Sequence, residues 1–372
     1  MRDTDARSIG FTPRTSIDHA ALRHNLQQAR RLAPNSRVWA VIKANGYGHG
    51  IVSVTRGLRL ADGFAVARIE EALRLREIGV EKPLLILEGV FLEADARAAA
   101  QANCQLTIHH LHQVELLQRL GSEHPLDIWL KIDTGMHRLG LPVNQIDVVV
   151  NRLRQCPAVG ELNLMTHLAN ADDRADDTTR QQSELFDSLP LAHFKQLSMA
   201  NSAGLMAFPF TQRDWVRPGL MLYGVSPFAD TTAQQEGLLP VMTLSARVIA
   251  VNRLRKGDPI GYGGIYRCPE DMPVAVIGVG YGDGYPRHAV NGTPVMLRNR
   301  WLPLVGRVSM DMICVDARTM PDLRIGEEAI LWGRGLPVEE IARAAGTIGY
   351  ELLCGITGRV GFVDLNVDEV DC

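Results

Sequence analysis

The segment at residues 39–50, WAVIKANGYGHG, ends a short apolar run on a lysine and passes at once into glycines. The amine of Lys43 can condense with an aldehyde, which replaces a permanent charge by an imine and suits a partly desolvated site. To act as a free base, the amine would need a pKa several units below its usual value of about 10.4, and burial and neighbouring cations have this effect. Lys43 alone would also fit a lysine whose stem lies along an edge strand with its charge in solvent.

Other ionisable side chains stand in comparable positions. Asp133, His167 and Arg217 each end an apolar run, and Lys131 lies just inside the end of one. In a barrel of parallel strands, catalytic groups come from the carboxyl ends of the strands. We therefore expect these residues to converge with Lys43 at one rim if the runs form such a barrel.

Eight apolar runs alternate with helical patterns between about residue 15 and residue 225. They are SRVWAVIK (36–43), DGFAVA (62–67), PLLILEG (83–89), CQLTIH (104–109), LDIWLKID (126–133), ELNLMTH (161–167), KQLSMA (195–200) and RDWVR (213–217). In the first helical segment, Ala21, Leu22, Leu26 and Ala29 share one face and Asp18 can act as N-cap. Such alternation indicates parallel strands buried on both faces. It predicts a (β/α)8 TIM-type barrel, with an open doubly wound sheet as the alternative because the eighth run is short.

After residue 230 the alternation of apolar runs and helical patterns gives way to runs typical of β-strands. Runs such as TLSARVIAVNRL, PVAVIGVGYGDGYPR and WLPLVGRVSMDMICVDA are rich in β-forming residues and punctuated by glycine and proline, with one helical piece at 337–346. We predict a barrel domain over residues 1–230 and a second, mainly β domain over residues 231–372. Residues 1–11 are the part of the first range that could instead pack on the C-terminal domain.

Composition sets the broad class of protein. The 372 residues are 46% hydrophobic and 22% charged, with a formal net charge of −3, as in a globular enzyme rather than a nucleic-acid-binding protein. No apolar run reaches the roughly 18 residues of a membrane span, and the start, MRDTDARSIG, lacks the apolar core of a secretory signal. Six scattered cysteines without a C-x-x-C pair favour a cytoplasmic location and predict neither disulfides nor a metal site.

Several motifs together carry a family resemblance over nearly the whole chain. They are AVIKANGYGHG (40–50), KIDTGMHRLG (131–140), THLANAD (166–172), NSAG (201–204), VRPGLMLYG (216–224), GYGGIYR (261–267), GYGDGYPR (280–287) and GRVSMDM (306–312). In this order they make the chain resemble the alanine racemases, which use pyridoxal 5′-phosphate (PLP). The resemblance implies interconversion of L- and D-alanine, for peptidoglycan or for alanine catabolism. It also implies a homodimer whose sites lie between the barrel of one chain and the β domain of the other.

The resemblance assigns proton transfer to two residues. Lys43 is expected to bind PLP as a Schiff base and to exchange the α-proton of D-alanine, and Tyr262 from the other chain to exchange that of L-alanine. A phenol with a pKa near 10 is a weak base at neutral pH unless positive groups lower that pKa. His167 is expected to link Tyr262 to Arg217 through hydrogen bonds.

The loops after the last two strands are candidates for holding the cofactor. TIM barrels often bind phosphate there, and Ser202 follows the seventh run while Gly219 and Leu220 follow the eighth. The resemblance assigns these three residues and Tyr47 to the phosphate of PLP. It places Arg217 against the pyridine nitrogen, where a guanidinium that does not readily give up its proton keeps PLP a weak electron sink.

The resemblance also predicts how the substrate is bound. Arg138 and the backbone N–H of Met310 are expected beside the substrate carboxylate, and Tyr281 beside the small side-chain pocket. Lys131 matches a lysine that is often carbamylated in the family, and the carbamate would hold Arg138 in place.

One segment departs from the family pattern. In CGITGRVGFVD (354–364), Gly358 stands where many members have a tyrosine that narrows the mouth of the site and touches phosphate. We therefore expect a wider mouth and some activity on serine.

Two alternative functions remain at this point. A PLP-dependent amino acid decarboxylase on the same barrel is disfavoured by Arg217, since those enzymes place a carboxylate there. A single-barrel PLP-binding homeostasis protein would lack the second domain and Tyr262.

Overall fold

Eight parallel strands form a closed barrel in the computed structural model, which describes residues 10–121 and 123–367. A first strand, β1 (Arg14–Asp18), precedes the barrel. The barrel strands are β2 (Arg37–Val41), β3 (Gly63–Val66), β4 (Leu84–Ile86), β5 (Cys104–Ile108), β6 (Leu126–Lys131), β7 (Val159–Met165), β8 (Leu197–Ser198) and β9 (Trp215–Val216). The pairing of β9 with β2 closes the ring. The predicted barrel is confirmed and the open sheet is excluded.

Helices alternate with the barrel strands along the chain. They are α1 (His19–Leu32), α2 (Lys43–Tyr47), α3 (Ile51–Gly57), α4 (Ile69–Glu77), α5 (Glu93–Gln101), α6 (Leu111–Gln118), α7 (Ile146–Arg154), α8 (Thr178–Asp187) and α9 (Ser202–Ala207). Helix α1 begins as the sequence predicts, because the Asp18 side chain accepts hydrogen bonds from the amides of Ala20 and Ala21. Its predicted apolar face is buried.

The C-terminal part is mainly β, as predicted. Its strands are β10 (Met242–Leu254), β11 (Pro259–Ile260), β12 (Tyr266–Arg267), β13 (Met272–Ile277), β14 (Pro294–Leu297), β15 (Arg300–Pro303), β16 (Ile313–Asp316), β17 (Glu328–Trp332) and β18 (Gly361–Leu365). The expected helical piece is α10 (Val338–Ala345), and a further helix, α11 (Gly349–Cys354), follows it. The main sheet has the order β15-β14-β17-β10-β1-β18, with β13 on β10 and β16 on β13.

The strand β1 connects the two ends of the chain. It pairs antiparallel with β10 and parallel with β18, so the chain enters the barrel from the C-terminal sheet. Of residues 1–11, which were predicted to pack on either domain, residues 1–9 lie outside the described residues.

Aromatic side chains pack against one another inside the barrel. Trp39 of β2 stacks on Trp215 of β9 with ring centroids 4.2 Å apart, and it meets Trp129 of β6 edge-on. Trp39 and Trp129 come from opposite sides of the ring, so both point inward. Because side chains alternate along a strand, Val41 and Lys43 follow Trp39 on the same inward side toward the open end. Among the helices of the described ranges, none is long and apolar enough to span a bilayer.

Candidate active site

A cavity of about 900 Å³ opens at the carboxyl ends of the barrel strands. The predicted residues that line it are Lys43, Tyr47, Lys131, Arg138, His167, Ser202, Arg217, Gly219 and Leu220. The predicted convergence of ionisable groups at one rim is therefore confirmed for Lys43, Lys131, His167 and Arg217. Asp133 does not line the cavity; its carboxylate accepts backbone hydrogen bonds from Gly135 and its neighbours at the start of the loop that carries Arg138.

The turn after Lys43 has an unusual backbone. The residues of α2 after Lys43 are left-handed, with φ of 53° at Ala44, 55° at Asn45 and 51° at Tyr47. Each non-glycine residue in this region costs on the order of 1 kcal/mol, and such strain persists where surrounding structure holds it. Gly48 ends the turn against the backbone of α11, where a Cβ would lie 2.0 Å from the carbonyl oxygen of Leu353. The turn reverses the chain within a few residues and leaves Lys43 at the cavity wall.

Both lysines of the cavity are easier to deprotonate than free lysine. Burial, and then the charge of Arg138, lowers the pKa of Lys43. Burial, and then the charge of Arg217, lowers the pKa of Lys131 to about 8. An appreciable fraction of the Lys131 amine is therefore neutral near physiological pH.

Arg217 is fixed by the backbone and side chains around it. Its side chain is buried, with 5% exposed, and it donates to the carbonyl oxygen of Thr166 at 2.5 Å, to Ser198 Oγ at 2.5 Å and to the carbonyl oxygen of Met199 at 3.1 Å. Burial lowers its pKa to about 10, so it stays charged at neutral pH. The guanidinium is held by neutral acceptors that keep its orientation without neutralising its charge.

His167 lies next to this guanidinium as a neutral ring. Burial, and then the charge of Arg217, holds the pKa of His167 well below its usual range. Its Nδ1 lies 3.4 Å from an Arg217 nitrogen, so Nδ1 is placed to accept and Nε2 carries the proton. The predicted Arg217–His167 part of the hydrogen-bonded chain is thus present as a close contact.

The loops after β8 and β9 form a small cradle. Ser202 Oγ, at the start of α9, accepts hydrogen bonds from the amides of Gly219 at 2.9 Å and Met221 at 3.3 Å. A Cβ on Gly219 would lie 2.5 Å from the Tyr47 hydroxyl, so only glycine lets this phenol approach the loop. Burial raises the pKa of Tyr47, which remains a hydrogen-bond donor. A serine hydroxyl, a phenol and backbone amides that lie close together are donors of the kind that binds phosphate.

Three predicted residues lie elsewhere, on the surface of the C-terminal domain. Tyr262 is 70% exposed, Met310 51% and Tyr281 40%, and none of them lines the cavity of its own chain. The amide of Tyr281 donates to the carbonyl oxygen of Ser309 and the next amide to that of Met310, so these two segments are adjacent. Gly263, the residue after Tyr262, faces the side chain of Arg307, and Arg307 lies two positions before Ser309 in the sequence. The three side chains thus share one surface.

Comparisons with known proteins agree with this division into two parts. The family model described as alanine racemase, N-terminal domain, matches residues 17–227, and the alanine racemase C-terminal domain matches residues 241–363. The chain belongs to the alanine racemase family. The family assignment covers both the barrel with the cavity and the domain with Tyr262.

Full-length relatives support the same assignment. The chain is 52% identical to the alanine racemase of Nitrosococcus oceani, over 94% of this chain and 98% of that protein. It resembles the crystal structure of the biosynthetic alanine racemase of Pseudomonas aeruginosa with a TM-score of 0.93 and 43% identity, covering 96% of this chain and all of that one. The alanine racemase of Bartonella henselae, solved with covalently bound pyridoxal phosphate, has a TM-score of 0.86 at 29% identity, with 95% of this chain and 99% of that chain covered.

Some residues of the alanine racemase cavity escaped the sequence reasoning. Tyr350 of α11 lines the cavity, with its ring 6.0 Å from that of Tyr47, and burial raises its pKa to about 12. Gly358, on which the expected wider mouth rests, does not line the cavity in this chain. Ser198 and Thr166 lie inside strand runs and look like ordinary core residues in sequence, yet they hold Arg217. No local pattern signals these roles, because each depends on a partner distant in sequence.

Proposed function

We propose that this protein interconverts L-alanine and D-alanine as a PLP-dependent racemase in the cytoplasm, acting as a homodimer. The observation that carries the proposal is the placement of Lys43, Arg217 and the Ser202–Gly219 cradle around one cavity in a chain of this family. When bound, PLP withdraws electrons from the α-carbon of an attached amino acid and so makes the α-proton removable. We propose a barrel domain over residues 1–230 and a mainly β domain over residues 231–372, with β1 of the first range paired into the sheet of the second.

The cavity residues fit PLP at both ends. The amine of Lys43 would hold its aldehyde carbon, while Tyr47, Ser202, Gly219 and Leu220 would hold its phosphate. The absence of a Cβ at Gly219, which leaves room for the Tyr47 hydroxyl, supports this fit.

Arg217 would donate to the pyridine nitrogen without giving up its proton. Its pKa of about 10 remains well above that of a pyridine nitrogen, and three neutral acceptors keep the group in place. An arginine here favours return of a proton to the α-carbon over loss of the carboxylate, which disfavours a decarboxylase.

Lys43 and Tyr262 would carry the proton on opposite faces of the α-carbon. The lowered pKa of Lys43 suits a group that must both accept and return a proton, and we assign it to the proton of D-alanine. Tyr262, assigned to the proton of L-alanine, is exposed on the other domain. A site completed by Tyr262 of a second copy of the chain explains that exposure and makes the dimer part of the active site.

Substrate binding would use groups from both domains. Arg138 lies in the cavity and would bind the carboxylate, with the Met310 N–H and Tyr281 from the second copy.

We further propose that Lys131 is carbamylated. Only a neutral amine adds CO₂, and the lowered pKa of Lys131 supplies that form next to the positive Arg138. The negative carbamate would then orient Arg138. Partial turnover of serine is also part of the proposal, because Gly358 stands where many members of the family have a tyrosine.

Chiral analysis of purified holoenzyme incubated with L-alanine tests the function directly. We expect an equal mixture of the enantiomers that retains the carboxylate. With α-deuterated L-alanine, the deuterium should exchange with solvent protons. Lys43→Ala is expected to lower kcat/KM about 10⁴-fold, whereas Lys256→Ala, on an exposed loop, keeps full activity. Release of CO₂ without D-alanine would indicate the decarboxylase instead. PLP binding with no turnover of either enantiomer would indicate the binding protein.

A further inference from the structure

Helix α4 brings a carboxylate to the turn that follows Lys43. Glu71 Oε1 accepts a hydrogen bond from the amide of Ala44 at 2.7 Å, and Oε2 accepts from the amides of Ala67 at 2.9 Å and Arg68 at 3.3 Å. The contact with Arg68 is an ordinary helix N-terminal cap, since a glutamate at the third position often bonds back to the residue before the helix. The contact with Ala44 spans 27 residues of sequence and is not explained by capping.

The hydrogen bonds of Glu71 to Ala44 and Ala67 lie just beyond the end of the pairing between β2 and β3. The last ladder bond between β2 and β3 joins the amide of Ile42 to the carbonyl oxygen of Ala65. Two residues further along each strand, the left-handed turn carries Ala44 out of the ladder, and the Glu71 carboxylate links the Ala44 and Ala67 amides instead. Charge-assisted hydrogen bonds of this kind are about twice as strong as neutral ones. The strained residue next to Lys43 is thereby tied to the neighbouring strand.

We propose that Glu71 is a positioning residue for Lys43: its carboxylate fixes the first left-handed residue of the turn and so sets the direction in which the Lys43 amine enters the cavity. The inference rests on the proposed function, in which Lys43 carries the proton of D-alanine. Glu71 is half-buried and does not line the cavity, so it acts through the backbone rather than on the substrate.

The same carboxylate also acts on the charge of Lys43. Burial and Arg138 lower the pKa of Lys43, while Glu88 and Glu71 raise it. Removing the charge of Glu71 therefore moves this pKa further down. Position and charge are separable, because Glu71→Gln removes the charge, whereas Glu71→Asp keeps the charge on a side chain one methylene too short to bridge both amides. Glu70→Gln, on the exposed side of the same helix, is the matched control.

Cofactor-free protein gives the first test. In Glu71→Gln and Glu71→Asp, hydrogen exchange in the peptide containing residues 43–48 is expected to become about tenfold faster, as when one hydrogen bond of roughly 1.4 kcal/mol is lost. The pH midpoint for labelling Lys43 with a lysine-directed reagent is expected to move down in Glu71→Gln and to stay in Glu71→Asp. Glu70→Gln should match wild type in both measurements. Unchanged exchange in both Glu71 variants would overturn the proposal, even if activity fell.

Kinetics of the loaded enzyme give the second test. We expect kcat/KM to fall about tenfold in both directions for Glu71→Gln, because the two enantiomers have equal free energy. The α-deuterium isotope effect should rise for D-alanine, whose proton Lys43 removes, and fall for L-alanine. A general loss of folded enzyme would change neither isotope effect, so equal isotope effects in mutant and wild type would also overturn the proposal. If wild type itself does not racemise alanine, the proposed function fails, while the exchange and labelling data still decide the role of Glu71.

Discussion

The barrel rim and the C-terminal surface present their predicted site residues in opposite ways. On the rim, Arg217 and Ser202 are buried and hydrogen-bonded within the chain. On the C-terminal surface, Tyr262, Tyr281 and Met310 extend into solvent from turns and loops. A buried charge must have its partners when the chain folds, since an unpaired one costs several kcal/mol. An exposed phenol has no such requirement. In the proposed dimer, one half of the site would therefore be organised by folding and the other half by assembly.

The strongest test of this difference is the origin of Tyr262. Tyr262→Phe is expected to lower kcat/KM about 10³-fold, because the phenol that we propose as carrier of the proton of L-alanine is lost. A heterodimer of one Lys43→Ala chain and one Tyr262→Phe chain, co-expressed and purified through two tags, should recover about half of the wild-type activity. One of its two sites then has both groups intact. An inactive heterodimer would show that each site is built within one chain.

The contribution of the barrel rim to the free energy of unfolding should depend on pH through His49. Burial lowers the pKa of His49, below the left-handed turn, to about 4 from its usual 6.5. The unfolded chain therefore binds this proton first, so the contribution is complete above pH 6.5 and is lost as pH falls toward 4. The loss amounts to about 3 kcal/mol.

Denaturant unfolding of cofactor-free protein at several pH values measures this effect. The acid slope should be shallower in His49→Asn than in wild type, and unchanged in His288→Asn, whose side chain is exposed on the C-terminal domain. Equal slopes in all three proteins would mean that His49 is not held neutral by the rim.

The cradle gives a steric test of the rim. Gly219→Ala places a methyl group against the Tyr47 hydroxyl, and we expect PLP affinity to fall about 10- to 100-fold, equivalent to about 1–3 kcal/mol of overpacking. Tyr47→Phe combined with Gly219→Ala should recover part of that loss, because the clashing oxygen is gone. Gly121→Ala, where a Cβ meets nothing within 4 Å, is the control. Equal affinity in Gly219→Ala and wild type would remove Gly219 from the phosphate site.

The smallest effect is expected from a substitution at Gly358. Gly358 is exposed, and Gly358→Tyr should lower kcat/KM for serine two- to fivefold relative to alanine, a change of under about 1 kcal/mol. The ratio of the two substrates, measured in the same preparation, checks it. An undetectable serine rate in wild type would refute the wider mouth.

The sequence by itself determined the positions of the eight barrel strands, the helix start at Asp18 and the ionisable groups at the strand ends. These follow from hydrophobic spacing and capping, which are local properties. The predicted cavity residues met because the carboxyl ends of parallel strands share one rim.

Only the tertiary structure decided how those groups are held. Glu71 reaches Ala44 across 27 residues, Ser198 and Thr166 hold Arg217, and Tyr350 enters the cavity from a helix that the sequence did not predict. The tertiary structure also placed β1 in the C-terminal sheet and Tyr262 outside the cavity of its own chain. Pairings of this kind depend on which strands become neighbours in the folded ring, and that is a property of the whole chain rather than of any segment.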